Sequence, residues 1–222
     1  FLPAGETMLE RVTGMARSSR VGVGGGYGAD REEVEHPVRT VQCGTYRRDA
    51  LLAVGGFDVA MAYGEDEELN WGLLRDGREI VLVPALRQHY RPRASLRALA
   101  RQYWNYGQGR IRVVTKHPDF LQAKHLAPSA LVVTIGTLAA AALVTPIGAT
   151  PLAGLLAVYG AALLGAGLTA HGGWRERLLL PLAIASMHVG YGTGMLWGAA
   201  DKHLAGRFRR RENQERRADG SA

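Results

Sequence analysis

Three long apolar stretches in the C-terminal half of the sequence constrain its fold most strongly. They are Leu126–Val144, Pro151–Ala170 and Leu178–Ala200. None of them contains Asp, Glu, Lys or Arg, and each is close to the roughly 20 helical residues that cross a bilayer core of about 30 Å. A buried helix of a soluble protein usually carries a polar face. Residues 126–200 are therefore predicted to form a membrane-embedded helical region with two to three spans.

The charges around these stretches leave the number of spans open. The loop between the first two stretches is uncharged, the next loop carries Arg175 and Arg177, and the tail from Lys202 to Arg217 is strongly basic. The positive-inside rule places both the second loop and the tail in the cytoplasm, which three full spans cannot achieve. Either the third stretch is a re-entrant or interfacial helix, or the tail breaks the rule.

The chain is basic overall, with 27 Lys+Arg against 20 Asp+Glu and a net charge of +7. Residues 201–222 are predicted to be a basic disordered tail. Charge alone would let this tail bind nucleic acid, but beside membrane helices anionic lipid is the expected partner, so no nucleic-acid partner is predicted. The single cysteine, Cys43, excludes a disulfide framework within the chain and a cysteine-based zinc site.

Residues 93–125 are predicted to be an amphipathic segment that lies in the bilayer interface. Leu96, Leu99, Tyr103 and Tyr106 recur at helical spacing, and arginines decorate the other surface. Aromatic rings and cations next to a membrane segment favour an interfacial helix. The alternative is an ordinary surface helix of a soluble domain.

Residues 1–92 have the pattern of soluble α/β structure. The predicted helices are Glu6–Arg17, Arg48–Val54 and Asp66–Asp76, and the predicted strands are Val38–Tyr46 and Glu79–Val83. The glycine-rich run Val21–Gly28 superficially resembles a phosphate-binding loop, but no Lys-Ser/Thr pair follows it, so a flexible loop is predicted. No signal peptide is recognisable after Phe1, and we expect a fragment that begins inside a domain.

Four consecutive acids, Glu65 to Glu68, form the sharpest candidate site. Carboxylates at a helix start are stabilised by free backbone N–H groups and by the helix dipole. A solvated acidic first turn is therefore one interpretation of the run. The motifs around it favour a second, chemical interpretation.

These motifs follow one another in a characteristic order. Gly55-Gly56-Phe57-Asp58 precedes the acids, and Gln102-Tyr103-Trp104-Asn105-Tyr106-Gly107-Gln108-Gly109-Arg110 follows them, before the apolar stretches. The order resembles family 2 inverting glycosyltransferases of the GT-A (Rossmann-like) fold, in particular the membrane-bound succinoglycan-type exopolysaccharide enzymes. The run from Met187 to Gly194 is similar to the last hydrophobic segment of that group. The resemblance implies an α/β fold in which residues 1–92 are the acceptor-side half of a GT-A domain, followed by the membrane-embedded helices.

The resemblance also implies catalytic roles for two acids. Asp66 matches the general base, which takes the proton of an acceptor hydroxyl as that oxygen attacks the anomeric carbon of the sugar. Glu65 would support or orient it. The implied substrate-binding residues are Gly55, Gly56, Asp58, Arg93, Gln102, Tyr103, Tyr106 and Arg110. Asn105-Tyr106 stands where processive relatives have Arg-Trp, which favours transfer of a single sugar over polymerisation.

The metal site implied by the family has no counterpart in the sequence. In this fold the nucleotide-binding half ends in an Asp-x-Asp motif that holds Mg²⁺ or Mn²⁺ on the diphosphate, and no Asp-x-Asp occurs in these 222 residues. We therefore expect an N-terminally truncated chain that is inactive alone, with the main metal ligands in a missing upstream half. His89 or Arg91 could reach the diphosphate or its metal, although a lone histidine is more often structural.

The predicted activity is hexosyl transfer from a nucleotide-diphosphate sugar to a lipid-linked saccharide acceptor, in exopolysaccharide or cell-surface glycan synthesis. The predicted location is the inner (plasma) membrane, multi-pass, with the catalytic part cytoplasmic. The main alternative is a non-catalytic membrane scaffold whose acidic turn and basic tail dock partners. A transporter module with His188 as a proton relay is disfavoured by the small number of spans.

Overall fold

The fold is predominantly helical. The structure, a computed structural model, describes residues 2–3, 5–23, 34–59, 61–86, 89–145 and 148–219, with side chains described up to Lys202. The predicted loop Val21–Gly28 therefore lies largely outside the described residues. In chain order the elements are β1 (Leu2–Pro3), α1 (Met8–Ser18), α2 (Arg20–Val23), β2 (His36–Pro37), α3 (Arg48–Ala53), α4 (Glu65–Arg75), β3 (Val81–Leu82), β4 (His89–Tyr90), α5 (Leu96–Lys116), a 3₁₀ turn (Pro118–Phe120), α6 (Ala123–Val144), α7 (Ala149–Thr169) and α8 (Trp174–Asp219).

Side-chain caps set where the amphipathic helices begin. At the start of α1 the Glu10 N–H donates to Thr7 Oγ1 at 3.2 Å, and the Thr7 N–H donates to Glu10 Oε2 at 2.9 Å, which is a capping box. At the start of α5 the Ala98 N–H donates to Ser95 Oγ at 3.1 Å. These bonds pair N–H groups that a helix start would otherwise leave free.

Short strand pairs replace the longer strands predicted from the sequence. β1 pairs with β4 in parallel, and β2 pairs with β3 antiparallel. The predicted strand Val38–Tyr46 is irregular, because the Asn70 side chain takes the Val41 carbonyl at 2.8 Å and Cys43 has a φ of 51°, both of which are incompatible with a regular ladder. The predicted strand Glu79–Val83 shortens to β3. The described residues contain no sheet of more than two strands.

The larger core joins α1, α5, α7 and α8. Its buried side chains are Val12, Ala16, Leu99, Tyr103, Leu163, Leu180, Ala183, Ile184 and Met187. Full burial of one large aliphatic side chain stabilises the fold by about 1.5–3 kcal/mol. The core therefore attaches α1 and α5, which lie outside the predicted membrane region, firmly to α8. A smaller cluster of Ala50, Leu69 and Leu73 joins α3 to α4.

Glycines let the backbones of α5 and α8 approach closely. A Cβ added at Gly190 would collide with the carbonyl oxygen of Ala100, and one added at Gly194 would collide with that of Trp104. Gly194 follows Gly190 by four residues on α8, and Trp104 follows Ala100 by four residues on α5. The two helices therefore run parallel along this contact. The spacing is the small-xxx-small pattern of closely packed helices.

Helices α6, α7 and α8 each contain a segment long and apolar enough to cross a membrane, in agreement with the membrane-embedded region predicted from the sequence. Within their most apolar segments, only 6% of the residues of α6 and 11% of those of α7 are buried by the rest of the chain, compared with 44% for α8. The first two helices thus expose apolar surface around most of their circumference, as lipid-facing helices do, whereas α8 is largely covered by the rest of the chain.

The last helix also extends past its apolar segment. It continues to Asp219, so residues 201–219, the described part of the predicted basic disordered tail, are helical. The sequence after Lys202 contains no proline before Asp219 and is rich in Arg and Glu, residues with high helix propensity. A helix that enters this segment therefore meets no strong stop signal.

Candidate functional site

The candidate site is the first turn of α4. Gly64 precedes the helix with a φ of 84°, a left-handed conformation that favours glycine. The turn is pressed against α5, since a Cβ added at Gly109 would lie 2.7 Å from the carbonyl oxygen of Tyr63. This contact fixes the start of α4 relative to α5, and the four acids that follow point in different directions from it.

Asp66 faces the irregular segment that precedes α3. Its Oδ2 accepts a long hydrogen bond of 3.5 Å from the backbone N–H of Cys43, and the side chain is half-buried. Burial, followed by the neighbouring charge of Glu65, raises the pKa of the Asp66 carboxyl, whereas the Cys43 N–H lowers it. The net direction is upward. A carboxylate with a raised pKa is a stronger base than a solvated one.

Asn70 holds the segment that faces Asp66. It lies one helical turn after Asp66, is fully buried, and donates to Thr40 Oγ1 at 2.9 Å. Its Oδ1 accepts a hydrogen bond from the Tyr46 hydroxyl, also at 2.9 Å. Burial, and then the charge of Asp66, raises the pKa of Tyr46 to about 12. The tyrosine is therefore a neutral donor at physiological pH.

Glu67 points the other way, toward α5 and α8. Arg110 donates to Glu67 Oε1 at 2.8 Å and to the Tyr191 hydroxyl at 3.0 Å. Its guanidinium also lies over the Phe120 ring, 4.9 Å from the centroid. The charge of Glu67 and the Tyr191 hydroxyl keep the pKa of Arg110 raised despite burial, which alone would lower it. Arg110, predicted to be a substrate-binding residue, is thus engaged in an interhelical ion pair.

Glu68 binds the C-terminal end of α5. It accepts from Lys116 Nζ at 2.7 Å and lies 3.0 Å from the Nε2 atom of His117. Lys116 also donates to Asp58 Oδ2 at 2.9 Å. These hydrogen bonds to Glu68 and then Asp58 raise the pKa of Lys116. Asp58, predicted to be a substrate-binding residue, is linked to the acidic turn through this lysine.

A second polar cluster lies on the N-terminal half of α5. Gln102 Nε2 donates to the Tyr106 hydroxyl at 2.8 Å and to the Tyr90 hydroxyl at 3.2 Å, and Arg93 Nε donates to Gln102 Oε1 at 3.3 Å. Arg17 lies over the Tyr90 ring, 4.2 Å from its centroid, and donates to its hydroxyl at 2.9 Å. The structure therefore brings together three predicted binding residues, Arg93, Gln102 and Tyr106.

One face of α5 connects the two polar regions. Gln102, Tyr106 and Arg110 are spaced four residues apart, so their side chains follow one another along the helix. The face begins at the Arg93 cluster and ends at Glu67, the residue after Asp66. Gln102, Tyr106 and Arg110 therefore form one polar row along α5 that reaches Glu67 on α4, whereas Asp66 faces the segment before α3.

Other predicted site residues lie apart from this polar row or serve the fold. Gly55 and Gly56 have φ values of 87° and 74° and end α3, with the Gly56 N–H donating to the Leu51 carbonyl at 2.9 Å. Tyr103 is buried in the main core. His89 is exposed on β4. No group of three or more His, Cys, Asp or Glu among the described residues is arranged to hold a metal ion, so the residues present do not fit the implied Mg²⁺ or Mn²⁺.

Sequence reasoning missed several members of the network. They are Arg17, Asn70, Tyr90, Lys116 and Tyr191. Only Asn70 had a local signal, because a polar residue four positions after Asp66 shares its helix face. The others reach the site through tertiary contacts between residues far apart in the chain.

The chain is similar to the succinoglycan biosynthesis protein ExoA of Rhizobium meliloti (strain 1021). The two are 31% identical over 138 residues, which is 60% of this chain and 41% of that protein. The chain thus spans less than half the length of this curated relative. No family model matches the chain, and no solved structure matches it significantly. The similarity agrees with the succinoglycan-type resemblance that the motifs indicate.

Proposed function

We propose that this chain forms the acceptor side and membrane anchor of a glycosyltransferase in exopolysaccharide or cell-surface glycan synthesis. The proposed reaction is the inverting transfer of a hexosyl group from a nucleotide-diphosphate sugar to a lipid-linked saccharide. The similarity to a succinoglycan biosynthesis protein and the order of the sequence motifs support it. The observation that carries it is the half-buried Asp66 on the first turn of α4, with its pKa raised by burial.

The environment of Asp66 suits a general base. The Cys43 N–H donates to Oδ2, which leaves Oδ1 to accept the proton of an acceptor hydroxyl. As that proton moves to Asp66, the hydroxyl oxygen forms a bond to the anomeric carbon, and the nucleoside diphosphate leaves with the electron pair of the broken C–O bond. A base works best when its pKa approaches the working pH while it remains ionised, so partial burial of Asp66 favours the step.

Glu65 has a supporting role in this proposal. It forms no hydrogen bond or ion pair in the described part of the chain, and its charge contributes to the raised pKa of Asp66. Glu67 and Glu68 are engaged with basic partners. Two of the four acids therefore hold α4 in place, and the first two are the ones left for chemistry.

The polar face of α5 is the proposed binding surface for the acceptor. Gln102 and Tyr106 offer amide and hydroxyl groups of the kind that bind sugar hydroxyls. Arg17 and Arg93 lie at the end of this surface farthest from α4, and guanidinium groups match phosphate geometry. A saccharide with a lipid diphosphate could extend along the face, with its free end toward the first turn of α4, which carries Asp66.

The membrane helices would hold the reaction at the cytoplasmic side. Lys124 at the start of α6 and Arg175 at the start of α8 flank the two lipid-exposed helices. The positive-inside rule places both in the cytoplasm. The inner membrane is therefore the proposed location, with the acidic turn on its cytoplasmic face.

The test is sugar transfer by membranes of cells that express the protein from its intact gene. The readout is incorporation of label from a nucleotide sugar into the lipid fraction. Asp66→Asn keeps the size and the hydrogen bond from Cys43 but removes the base, so we expect kcat to fall about 10²–10⁴-fold while the apparent KM for the donor stays the same. Asp76→Asn, at the C-terminal end of the same helix, is the matched control and should retain full activity.

Two outcomes would count against the proposal. Undiminished turnover by Asp66→Asn would rule out this residue as the base. No transfer by the unaltered protein with any nucleotide sugar, although it is folded in the membrane, would favour the non-catalytic scaffold instead.

A further inference from the structure

The exposed side chains of α8 form one narrow apolar stripe. Leu178, Leu182, Val189 and Leu196 are 65%, 55%, 52% and 38% exposed, respectively. Their spacing of four, seven and seven residues places them on one face of the helix. The remainder of the segment Leu178–Ala200 is buried or half-buried, apart from Trp197 and Ala200 near its C-terminal end. The helix therefore presents a single apolar line to its surroundings.

The opposite face of α8 is covered by α1 and α5. Leu180, Ile184 and Met187 pack in the main core with Val12 of α1 and Leu99 of α5. Farther along, Gly190 and Gly194 contact the backbone of α5. The covering helices thus accompany α8 along most of its apolar segment.

These covering helices carry charge at the level of the apolar segment. Arg97 and Arg101 are exposed on α5 and lie within three residues of Ala100, which abuts Gly190. The middle of the third apolar stretch is Val189. If α8 crossed the bilayer, both arginines would lie near the centre of the membrane, where charged side chains are costly and rare.

At the start of α8, Arg11 of α1 forms a 2.9 Å ion pair with Glu176. The charges of the covering helices therefore accompany α8 from its start to its middle. The charged side chains on α1 and α5 would be solvated if the face of α8 that these helices cover were directed toward water. They would be desolvated if α8 were a transmembrane helix.

The contacts of α8 with the α6–α7 hairpin lie at one end of that hairpin. α8 contacts α6 through Ser129, whose hydroxyl donates to the Gly192 carbonyl at 3.3 Å. It contacts α7 through Tyr159, 2.9 Å from His188, and through Gly167, which abuts the Arg177 carbonyl. Ser129 and Gly167 lie in the half of the hairpin away from its turn, and Tyr159 lies at the middle of α7.

These contacts indicate that α8 crosses the hairpin. Residues 177 and 192 of α8 are separated by about 22 Å of helix, whereas their contacts, Gly167 on α7 and Ser129 on α6, lie two and six residues from the open end of the hairpin. The other half of the hairpin is exposed, as Leu143 and Val158 at 89% and 72% show. The hairpin thus projects away from α8.

We infer that α8 lies in the bilayer interface, with its stripe of Leu178, Leu182, Val189 and Leu196 against the acyl chains, and that only α6 and α7 cross the membrane. The occupant of the stripe is the lipid surface that the hairpin enters. A helix with one apolar face and the other side covered by a charged domain suits this position. The inference concerns the placement of the chain and does not depend on the proposed reaction.

This arrangement resolves the conflict in the charge pattern. With two spans, Lys124 before α6, Arg175 after α7 and the basic segment after Lys202 all lie on the same side. The positive-inside rule is then satisfied at every point. With three spans, the basic segment would lie on the opposite side from Arg175.

Depth measurements by spin labelling test the inference. Cysteines are introduced singly at Leu178, Leu182, Val189 and Leu196 in a Cys43→Ser background, and the full chain is reconstituted in phosphatidylcholine–phosphatidylglycerol vesicles. Collisions with oxygen and with a polar nickel reagent report the depth of each label. We expect all four labels at a similar depth, about 5–10 Å below the headgroups.

A spanning α8 gives a different profile. Its label at residue 189 would lie about 16 Å deeper along the helix than the label at residue 178, and such a profile would overturn the inference. Leu126→Cys, Val133→Cys and Leu143→Cys on α6 are the matched controls, and they should show the depth gradient of a membrane span.

Sidedness provides an independent measurement. Lys124→Cys, Thr145→Cys and Ala222→Cys are each labelled with a membrane-impermeant maleimide in intact and inverted membranes. We expect residues 124 and 222 to react from one side and residue 145, at the turn of the hairpin, from the other. Labelling of residue 222 from the same side as residue 145 would show a third span.

Discussion

Replacement of Arg110 by Met should lower the free energy of unfolding by about 3 kcal/mol. The Arg110 side chain is 13% exposed and links α5 to Glu67 of α4 and to Tyr191 of α8. Methionine preserves much of the volume but donates no hydrogen bond. Loss of a hydrogen bond to a charged group costs about 1.5–3 kcal/mol, and loss of one member of a buried ion pair costs about 3–5 kcal/mol. Glu67 is 28% exposed, which places the expected loss at the lower end of that range.

The assay is thermal unfolding of the purified chain in detergent, followed by tryptophan fluorescence. For a chain of this size, about 3 kcal/mol corresponds to a fall in Tm of roughly 6–12 °C. A double-mutant cycle with Glu67→Gln isolates the pair and should give a coupling energy of more than about 1 kcal/mol. Arg112→Met is the matched control, because Arg112 is exposed on the same helix, and it should change stability by less than about 0.5 kcal/mol.

Two results would refute this reasoning. Additive effects of the Arg110 and Glu67 substitutions, within about 0.5 kcal/mol, would show that the ion pair does not hold α4 against α5. An unchanged Tm together with reduced sugar transfer would show that Arg110 acts on the substrate, as the sequence resemblance implies, and not through the fold.

Two further predictions concern the helix contact and the base. Gly194→Val should destabilise the chain by about 1–3 kcal/mol, because its Cβ would collide with the Trp104 carbonyl. The control Gly160→Val should leave the Tm unchanged, since a Cβ at that position meets nothing within 4 Å. Equal effects of the two substitutions on the Tm would contradict the close packing of α5 and α8. Transfer activity should fall at acidic pH as Asp66 takes up a proton, at a pH above the usual range of an aspartate because its pKa is raised. Protonation of Asp66 should affect the stability of the fold in the opposite direction. Because the pKa of Asp66 is raised in the folded state, the folded chain binds this proton more readily than the unfolded chain, and the free energy of unfolding should rise as pH falls through the titration of Asp66. The Tm difference between Asp66→Asn and the unaltered chain should therefore shrink on acidification, and a difference that grows would contradict a raised pKa.

The helices were the most predictable part of the fold. The segments α1, α4, α6 and α7 begin and end within three residues of the boundaries predicted from helical periodicity and from the uncharged apolar stretches, because these signals are local. The strand predicted at Val38–Tyr46 was wrong for a nonlocal reason. Asn70, more than 20 residues away, takes a backbone carbonyl that a sheet partner would need, and no periodicity in the strand itself records that competition.

The site shows the same division between local and nonlocal information. The acidic run and its place at a helix start were readable from the sequence. The polar row of Gln102, Tyr106 and Arg110 was not, because the sequence pattern placed Tyr106 with the apolar residues and the arginines on the other surface. The different partners of the four successive acids were not readable either, since they lie on separate segments of the chain, such as Cys43 for Asp66 and Arg110 for Glu67. Arg110 illustrates the consequence: the family resemblance implies that it binds substrate, whereas its contacts are those of an interhelical ion pair.

The position of Asp66 relative to the membrane follows from a chain of close contacts. Gly190 and Gly194 of α8 hold α5 at backbone distance, Gly109 of α5 holds the turn before α4, and Asp66 is the second residue of α4. Each link depends on backbone contact and not on a long flexible side chain, so the height of Asp66 above α8 is nearly fixed. If α8 lies in the interface, Asp66 is held a constant distance above the lipid surface. A lipid-linked acceptor moves in two dimensions at a constant height, so a base at a fixed height meets its reactive hydroxyl by lateral diffusion alone. Loosening of α5 from α8, as in Gly194→Val, should therefore impair transfer to a lipid-linked acceptor more than transfer to a soluble analogue. Equal losses with both acceptors would show that the height of Asp66 above the lipid surface does not matter for transfer.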